Sequence, residues 1–148
     1  MKWPNFLADA NYSAYSEGMN QAELCSLADA WINYWRAPKG SSERETNAWA
    51  TDLYDLEYNE PETLWLLILE IHHRDQSTAI KQVLSAGPIE DLLAKHGENF
   101  IDRIEAEARK DSSFAKVLGG VWQNRMSDAV WKRLQSVWDR RCWDGIPE

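Results

Sequence analysis

Pro61-Glu62-Thr63-Leu64-Trp65-Leu66-Leu67-Ile68-Leu69-Glu70-Ile71 is the most apolar stretch of the chain. Pro61 suits the first position of a helix, where a missing N–H costs nothing because that group has no intrahelical partner. Beyond it, apolar residues run almost all the way round the helix barrel. A helix of that kind sits at the centre of a fold and is covered on several sides. Its unbroken apolar run, Leu64 to Leu69, is far shorter than the ~20 residues a membrane span requires. We therefore expect a buried central helix over 61–74 and no transmembrane segment.

Helical spacing recurs on both sides of this stretch. Leu24, Leu27, Ala28, Trp31 and Trp35 predict a helix over 20–36, ended by Pro38 and Gly40. Ser42-Glu43-Arg44-Glu45 matches a capping box, and Trp49, Leu53 and Leu56 continue that helix as its apolar stripe. Downstream, helices are expected over 77–85 (Ile80, Val83, Leu84), 88–96 (Ile89, Leu92, Leu93) and 98–110 (Phe100, Ile101, Ile104, Ala108). Ala86-Gly87-Pro88 and Gly97 separate the three. A short helix capped by Asp111 carries Phe114, Val117 and Leu118. The last begins near Ser127 and carries Val130, Trp131, Leu134, Val137 and Trp138. No segment alternates polar and apolar residues as a half-buried strand would.

The fold expected is all-α: one domain over 1–148, with seven or eight short helices, some stacked as helical hairpins. Residues 1–19 and the tail 144–148 are expected to be irregular. At 148 residues and 44% hydrophobic content, the chain can build its core without a metal or a disulfide.

Charge and cysteine usage narrow the partners. Acidic residues number 24 against 16 Lys plus Arg, a net charge of −8, which argues against a nucleic-acid backbone as ligand. Ten acids against four bases lie in residues 1–60, so most of the excess is N-terminal. Cys25 and Cys142 form no CxxC pair and suit a reducing cytoplasm. The N-terminus has no apolar core of a signal peptide.

No catalytic signature stands out. There is no G-x-S-x-G nucleophile turn, and Gly119-Gly120 lacks the Lys-Ser or Lys-Thr of a phosphate loop. His72 and His73 are adjacent and point about 100° apart on a helix, so they cannot share one ion. A zinc site needs three or four ligands. We expect neither metal nor cofactor. His96 before Gly97 reads as a helix C-terminal residue whose ring bonds the last carbonyls. An enzymatic alternative would be a small or metal-dependent hydrolase gathering His96 with Asp91, Glu98, Asp102 and Asn124.

The segment Glu43 to Glu62 is the most distinctive. It holds seven acids (Glu43, Glu45, Asp52, Asp55, Glu57, Glu60 and Glu62) against Arg44 alone, together with Trp49, Tyr54 and Tyr58. Aromatic anchors amid one sign of charge suit the grip of a basic protein. Glu45, Trp49, Asp52, Asp55, Glu57, Tyr58 and Glu60 are the candidate partner-binding residues. The bland alternative is that Trp49 and Leu53 pack inward while the acids face water. Nine Trp also leave room for a structural adaptor or a self-associating face. Of the Trp, 31, 35, 65 and 138 are expected in the core.

Five stretches carry a resemblance, two of them being Leu64-Trp65-Leu66-Leu67-Ile68-Leu69 and Phe100-Ile101-Asp102-Arg103-Ile104-Glu105; the other three are the most distinctive. These three are Leu84-Ser85-Ala86-Gly87-Pro88-Ile89-Glu90-Asp91-Leu92-Leu93, then His96-Gly97-Glu98, then Gly120-Val121-Trp122-Gln123-Asn124-Arg125-Met126-Ser127. Over roughly residues 60–140 the chain resembles a family of small uncharacterised bacterial proteins, a domain of unknown function. The resemblance implies a bacterial origin and assigns no catalytic residue. On these grounds the chain is expected to be a cytoplasmic protein-binding module. It would act as an immunity- or antitoxin-like inhibitor of a basic partner such as a toxin.

Overall fold

Asn20 opens the first helix of the computed structural model, which describes residues 19–141 and 143. Helix α1 (Gln21–Arg36) starts with a full capping box. The Asn20 side chain accepts from the Glu23 N–H, and the Glu23 carboxylate accepts from the Asn20 N–H. The sequence motif predicts such a box at Ser42 instead. There the cap is Ser41, whose Oγ accepts from Arg44 N–H, so the third helical position holds Arg44 and no box forms. The shift is set by the preceding turn. Ser41 N–H donates to Pro38 O at 3.1 Å, and Gly40 takes φ +80°, a conformation that favours glycine. The turn delivers Ser41, not Ser42, in the extended conformation a cap requires.

Helices α2 (Ser42–Asn47), α3 (Tyr54–Asn59) and α4 (Pro61–Arg74) follow, with a 3-10 turn at Ala48–Thr51 between the first two. Beyond Asp75 come α5 (Thr78–Leu84), a π-helical turn at Ser85–Ile89, α6 (Glu90–Lys110), α7 (Ser112–Leu118) and α8 (Asp128–Gln135). The described residues are all-α. Segments that run on join into six helices, slightly fewer than the seven or eight expected. None is long and apolar enough to cross a membrane. The expectations for residues 1–18, Cys142 and the tail 144–148 lie outside the described residues.

Backbone contacts divide the chain into two compact units, one ending at Asp75 and one beginning at Gln76. In the first, α1 packs on α2, the 3-10 turn and α4, while α3 packs on α4. Leu64, Leu67, Ile68 and Ile71 of α4 are fully buried, Trp65 and His72 nearly so, and Leu66 and Leu69 half-buried. That is the all-round burial expected of its composition. Arg74 closes α4 by pairing with Glu70 at 2.7 Å and with Asp29 of α1.

In the second unit α6 packs on α7, α8 and the π turn. One expectation from the sequence is overturned here. Ala86-Gly87-Pro88 predicts a break between helices, but helical winding continues through the π turn. The wider i→i+5 turn accommodates the proline ring and its missing donor, where α geometry would clash. The expected division at Gly97 is present as a kink: His96 takes non-helical φ −136°, ψ 23°, and joins two helical stretches within α6, the second running to Lys110. A Cβ on Gly97 would lie 3.1 Å from both methyls of Val130, so this glycine permits the close approach of α8. Asp111 then closes α6 and caps α7, accepting from Ser113 and Phe114 N–H.

Candidate functional site

The acidic segment does not form the single helix its spacing suggests. Asn47 Nδ2 donates to Glu43 O at 2.8 Å, and Thr51 Oγ1 donates to Ala48 O at 2.8 Å. Asp52 leaves helical geometry (φ −89°, ψ 98°), and its Oδ1 accepts from Tyr54 N–H at 3.1 Å. Short polar side chains that bond their own backbone compete with helix continuation, and three of them here replace one helix with two. The helix expected to run on through Trp49 and Leu53 is therefore interrupted at Asp52. Leu53 and Leu56 are buried, as expected.

The break turns α3 into a small platform. Tyr54 and Tyr58, one helical turn apart, are 64% and 51% exposed, with ring centroids 4.5 Å apart and planes inclined by 35°. Of the candidate residues, Glu45, Asp52, Asp55 and Tyr58 are exposed, while Trp49, Glu57 and Glu60 are half-buried. Asp55 Oδ1 accepts from Asn59 Nδ2 at 2.7 Å, one turn along the same helix. Tyr54 was not among the candidates. Its i,i+4 spacing from Tyr58 was the available signal. Arg44, the one cation between Glu43 and Glu62, is engaged by α1: Nε donates to Tyr34 O at 3.1 Å, and the guanidinium lies 4.6 Å over the Tyr34 ring.

The residues grouped around His96 do not converge. His96 and Glu98 line a cavity of about 250 Å³ at the α6 kink, with Lys95, Arg125 and Ser127 among its other walls. Asp102 is paired with Arg133 at 2.5 Å, and Asp91 with Lys95 at 3.7 Å. Asn124 donates to Glu90 at 3.3 Å. Of the other histidines, His72 is buried and His73 exposed.

Trp31 and Trp65 are buried, but Trp35 and Trp138, also expected in the core, are half-buried. Trp138 lies at 88° to Trp131 with 5.2 Å between centroids, beyond the last turn of α8. Trp122 is 70% exposed. Trp143 donates its indole N–H to Lys116 O at 2.7 Å.

No curated protein and no solved structure matches the chain. One family model does, over residues 37–142. It starts well before the region of resemblance noted in the sequence, and so takes in α2, the 3-10 turn and α3. The chain belongs to that family, described as a family of unknown function (DUF6869).

Proposed function

We propose that the chain is a protein-binding module that captures a basic partner through the α3 surface, in the manner of an immunity- or antitoxin-like inhibitor. One observation carries the reading: the adjacent, exposed Tyr54–Tyr58 pair on a short helix that also carries Asp55 and follows Asp52. Two large aromatic rings left in water are costly unless something covers them. Tyrosine offers wide contact area with little side-chain entropy to lose. The surrounding carboxylates supply attraction for Lys and Arg, and a ring face accepts a guanidinium. Charge of one sign steers encounter and can raise association rates by orders of magnitude at low salt.

An inhibitor that works by covering its target needs no catalytic group, which suits an acidic chain of this size. A cytoplasmic setting goes with this reading, because thiols without a CxxC spacing suit a reducing compartment.

The test is affinity capture from a cell lysate, identification of a basic protein among those retained, and calorimetry against it at two ionic strengths. Wild type is compared with Asp52→Lys/Asp55→Lys/Glu57→Lys and with Tyr54→Ala/Tyr58→Ala. Loss of affinity in both variants, with a salt dependence that shrinks in the first, supports the reading. Unchanged affinity and salt dependence overturn it. Light scattering that shows a concentration-dependent dimer abolished by Tyr54→Ala/Tyr58→Ala would assign the platform to self-association instead.

A further inference from the structure

The α3 surface differs in chemistry from a plain acidic patch. Tyr54 and Tyr58 are 64% and 51% exposed, with ring centroids 4.5 Å apart and planes inclined by 35°. At that separation nothing enters between the rings, so a ligand meets their outer faces and edges. Asp55 is exposed and lies three residues before Tyr58, the spacing of neighbours on one helix face. Its Oδ1 accepts from Asn59 Nδ2 at 2.7 Å, and a carboxylate has further lone pairs for a second donor. Buried Leu53 and Leu56 seat the helix. Arg44, the one cation between Glu43 and Glu62, is held by α1 through the Tyr34 carbonyl and the Tyr34 ring. A cation for this surface therefore comes from outside the segment.

We propose that this surface selects arginine over lysine in its basic partner. The specificity rests on α3 being the binding surface, as proposed above. A planar, weakly hydrated guanidinium lies flat on a ring and still donates in its own plane to a carboxylate. An ammonium is a compact, strongly hydrated point charge and gives up more water to sit on a ring. Exposed carboxylates alone would attract both cations alike, since screened charge in water does not read shape. The rings supply the discrimination. Elsewhere among the described residues the same geometry is built: guanidinium carbons lie 4.6 Å over Tyr34 (Arg44), 4.5 Å over Phe100 (Arg103) and 4.9 Å over Trp138 (Arg140). The occupant is an arginine-bearing segment of a basic protein, not an undifferentiated positive surface.

The test is a titration of the whole chain with two capped pentapeptides, Gly-Arg-Gly-Arg-Gly and Gly-Lys-Gly-Lys-Gly, read by amide and side-chain NMR shifts. Saturable shifts at residues 52–59 are expected with both, and the arginine peptide should bind about three- to tenfold tighter, the scale of one or two ring–cation contacts. In Tyr54→Leu/Tyr58→Leu, which keeps apolar area and removes the ring faces, the two peptides should bind alike. Tyr54→Phe/Tyr58→Phe should keep the preference, because the ring face and not the hydroxyl provides it. Asp55→Asn should weaken both peptides and lower the salt dependence. Equal affinity of the wild type for the two peptides, or a preference that survives in folded Tyr54→Leu/Tyr58→Leu, overturns the arginine specificity and leaves α3 as a general cation surface. No saturable shift with either peptide overturns the specificity together with the reading it rests on.

Discussion

Arg133 of α8 grips Glu105 of α6 through two parallel hydrogen bonds, Nε to Oε2 at 2.9 Å and Nη2 to Oε1 at 2.6 Å. The same Nη2 reaches Asp102 at 2.5 Å. Glu105 is only 8% exposed, and these donors offset the cost of burying its charge. Arg133→Ala should therefore lower the urea midpoint more in the wild-type background than in a Glu105→Ala background. A double-mutant cycle by chemical denaturation reads this coupling, and additive losses would refute it.

Acid should act on the second unit through two carboxylates. The Arg133 hydrogen bonds hold Glu105 below its ordinary value, and the Arg141 guanidinium holds Asp139 down to about 2. A depressed folded pKa contributes stability that is present above the unfolded value and lost as pH falls through the folded one. For Asp139 that window runs from 3.8 down to about 2. Arg141 is largely in water, so the contribution is about 1 kcal/mol or less. Melting curves from pH 5 to 2 should show a smaller acid loss in Asp139→Asn than in wild type.

Glycine substitutions should sort by the space behind each Cα. A Cβ on Gly120 would lie 2.5 Å from the Trp143 ring and 2.6 Å from Ser85 Oγ, and one on Gly119 would run into the Asp139 carbonyl. Gly119→Ala and Gly120→Ala should each cost about 1–3 kcal/mol. Gly87 lies in the π turn, and a methyl added there would meet nothing within 4 Å, so Gly87→Ala should be neutral or stabilising by about 0.5–1 kcal/mol. Thermal melts of the three variants check the order.

The α3 platform should separate binding from stability. Tyr54→Ala and Tyr58→Ala remove exposed rings and should change stability by no more than about 0.5 kcal/mol each. Leu56→Ala, one face away and fully buried, should cost about 2–5 kcal/mol. Equilibrium unfolding of the three variants reads the contrast. Large losses in the tyrosine variants would assign the rings to structure.

Glu90 should govern the loop from Gly119 to Ser127. Glu90→Ala leaves the Trp122 N–H and the Asn124 amide without their acceptor, at a cost of about 1–3 kcal/mol. Amide exchange at Trp122 should accelerate, while exchange within α1 stays unchanged. Protection at Trp122 that survives the substitution would show that the loop is held by something else.

Much of the helical framework was legible because its signals are local. Leu24, Leu27, Ala28 and Trp31 announced α1, and Pro61 marked the first residue of α4. Asp111 was recognisable as a cap, and Ser77 and Ser127 as helix starts, where the structure makes them caps as well. Each of these signals acts within about one helical turn. The break in the acidic segment was less visible, since Asp52 fits a helix by spacing and leaves it through a side-chain bond to Tyr54 N–H. The placement of Trp35 and Trp138 at half-buried positions likewise depended on what packs against them. Within the candidate partner-binding segment, the i,i+4 spacing of Tyr54 and Tyr58 was visible, but their shared exposure was decided by the packing of Leu53 and Leu56.

By itself, the order of residues determined an all-α chain, its apolar α4 and its acidic N-terminal half, because helical periodicity and capping are settled between residues three or four apart. Only the tertiary structure decided that Glu90 would hold a loop 32 residues away and that Arg133 would meet Glu105 across 28. Such contacts depend on which helix faces meet once the apolar stripes are buried, and no local pattern encodes that choice.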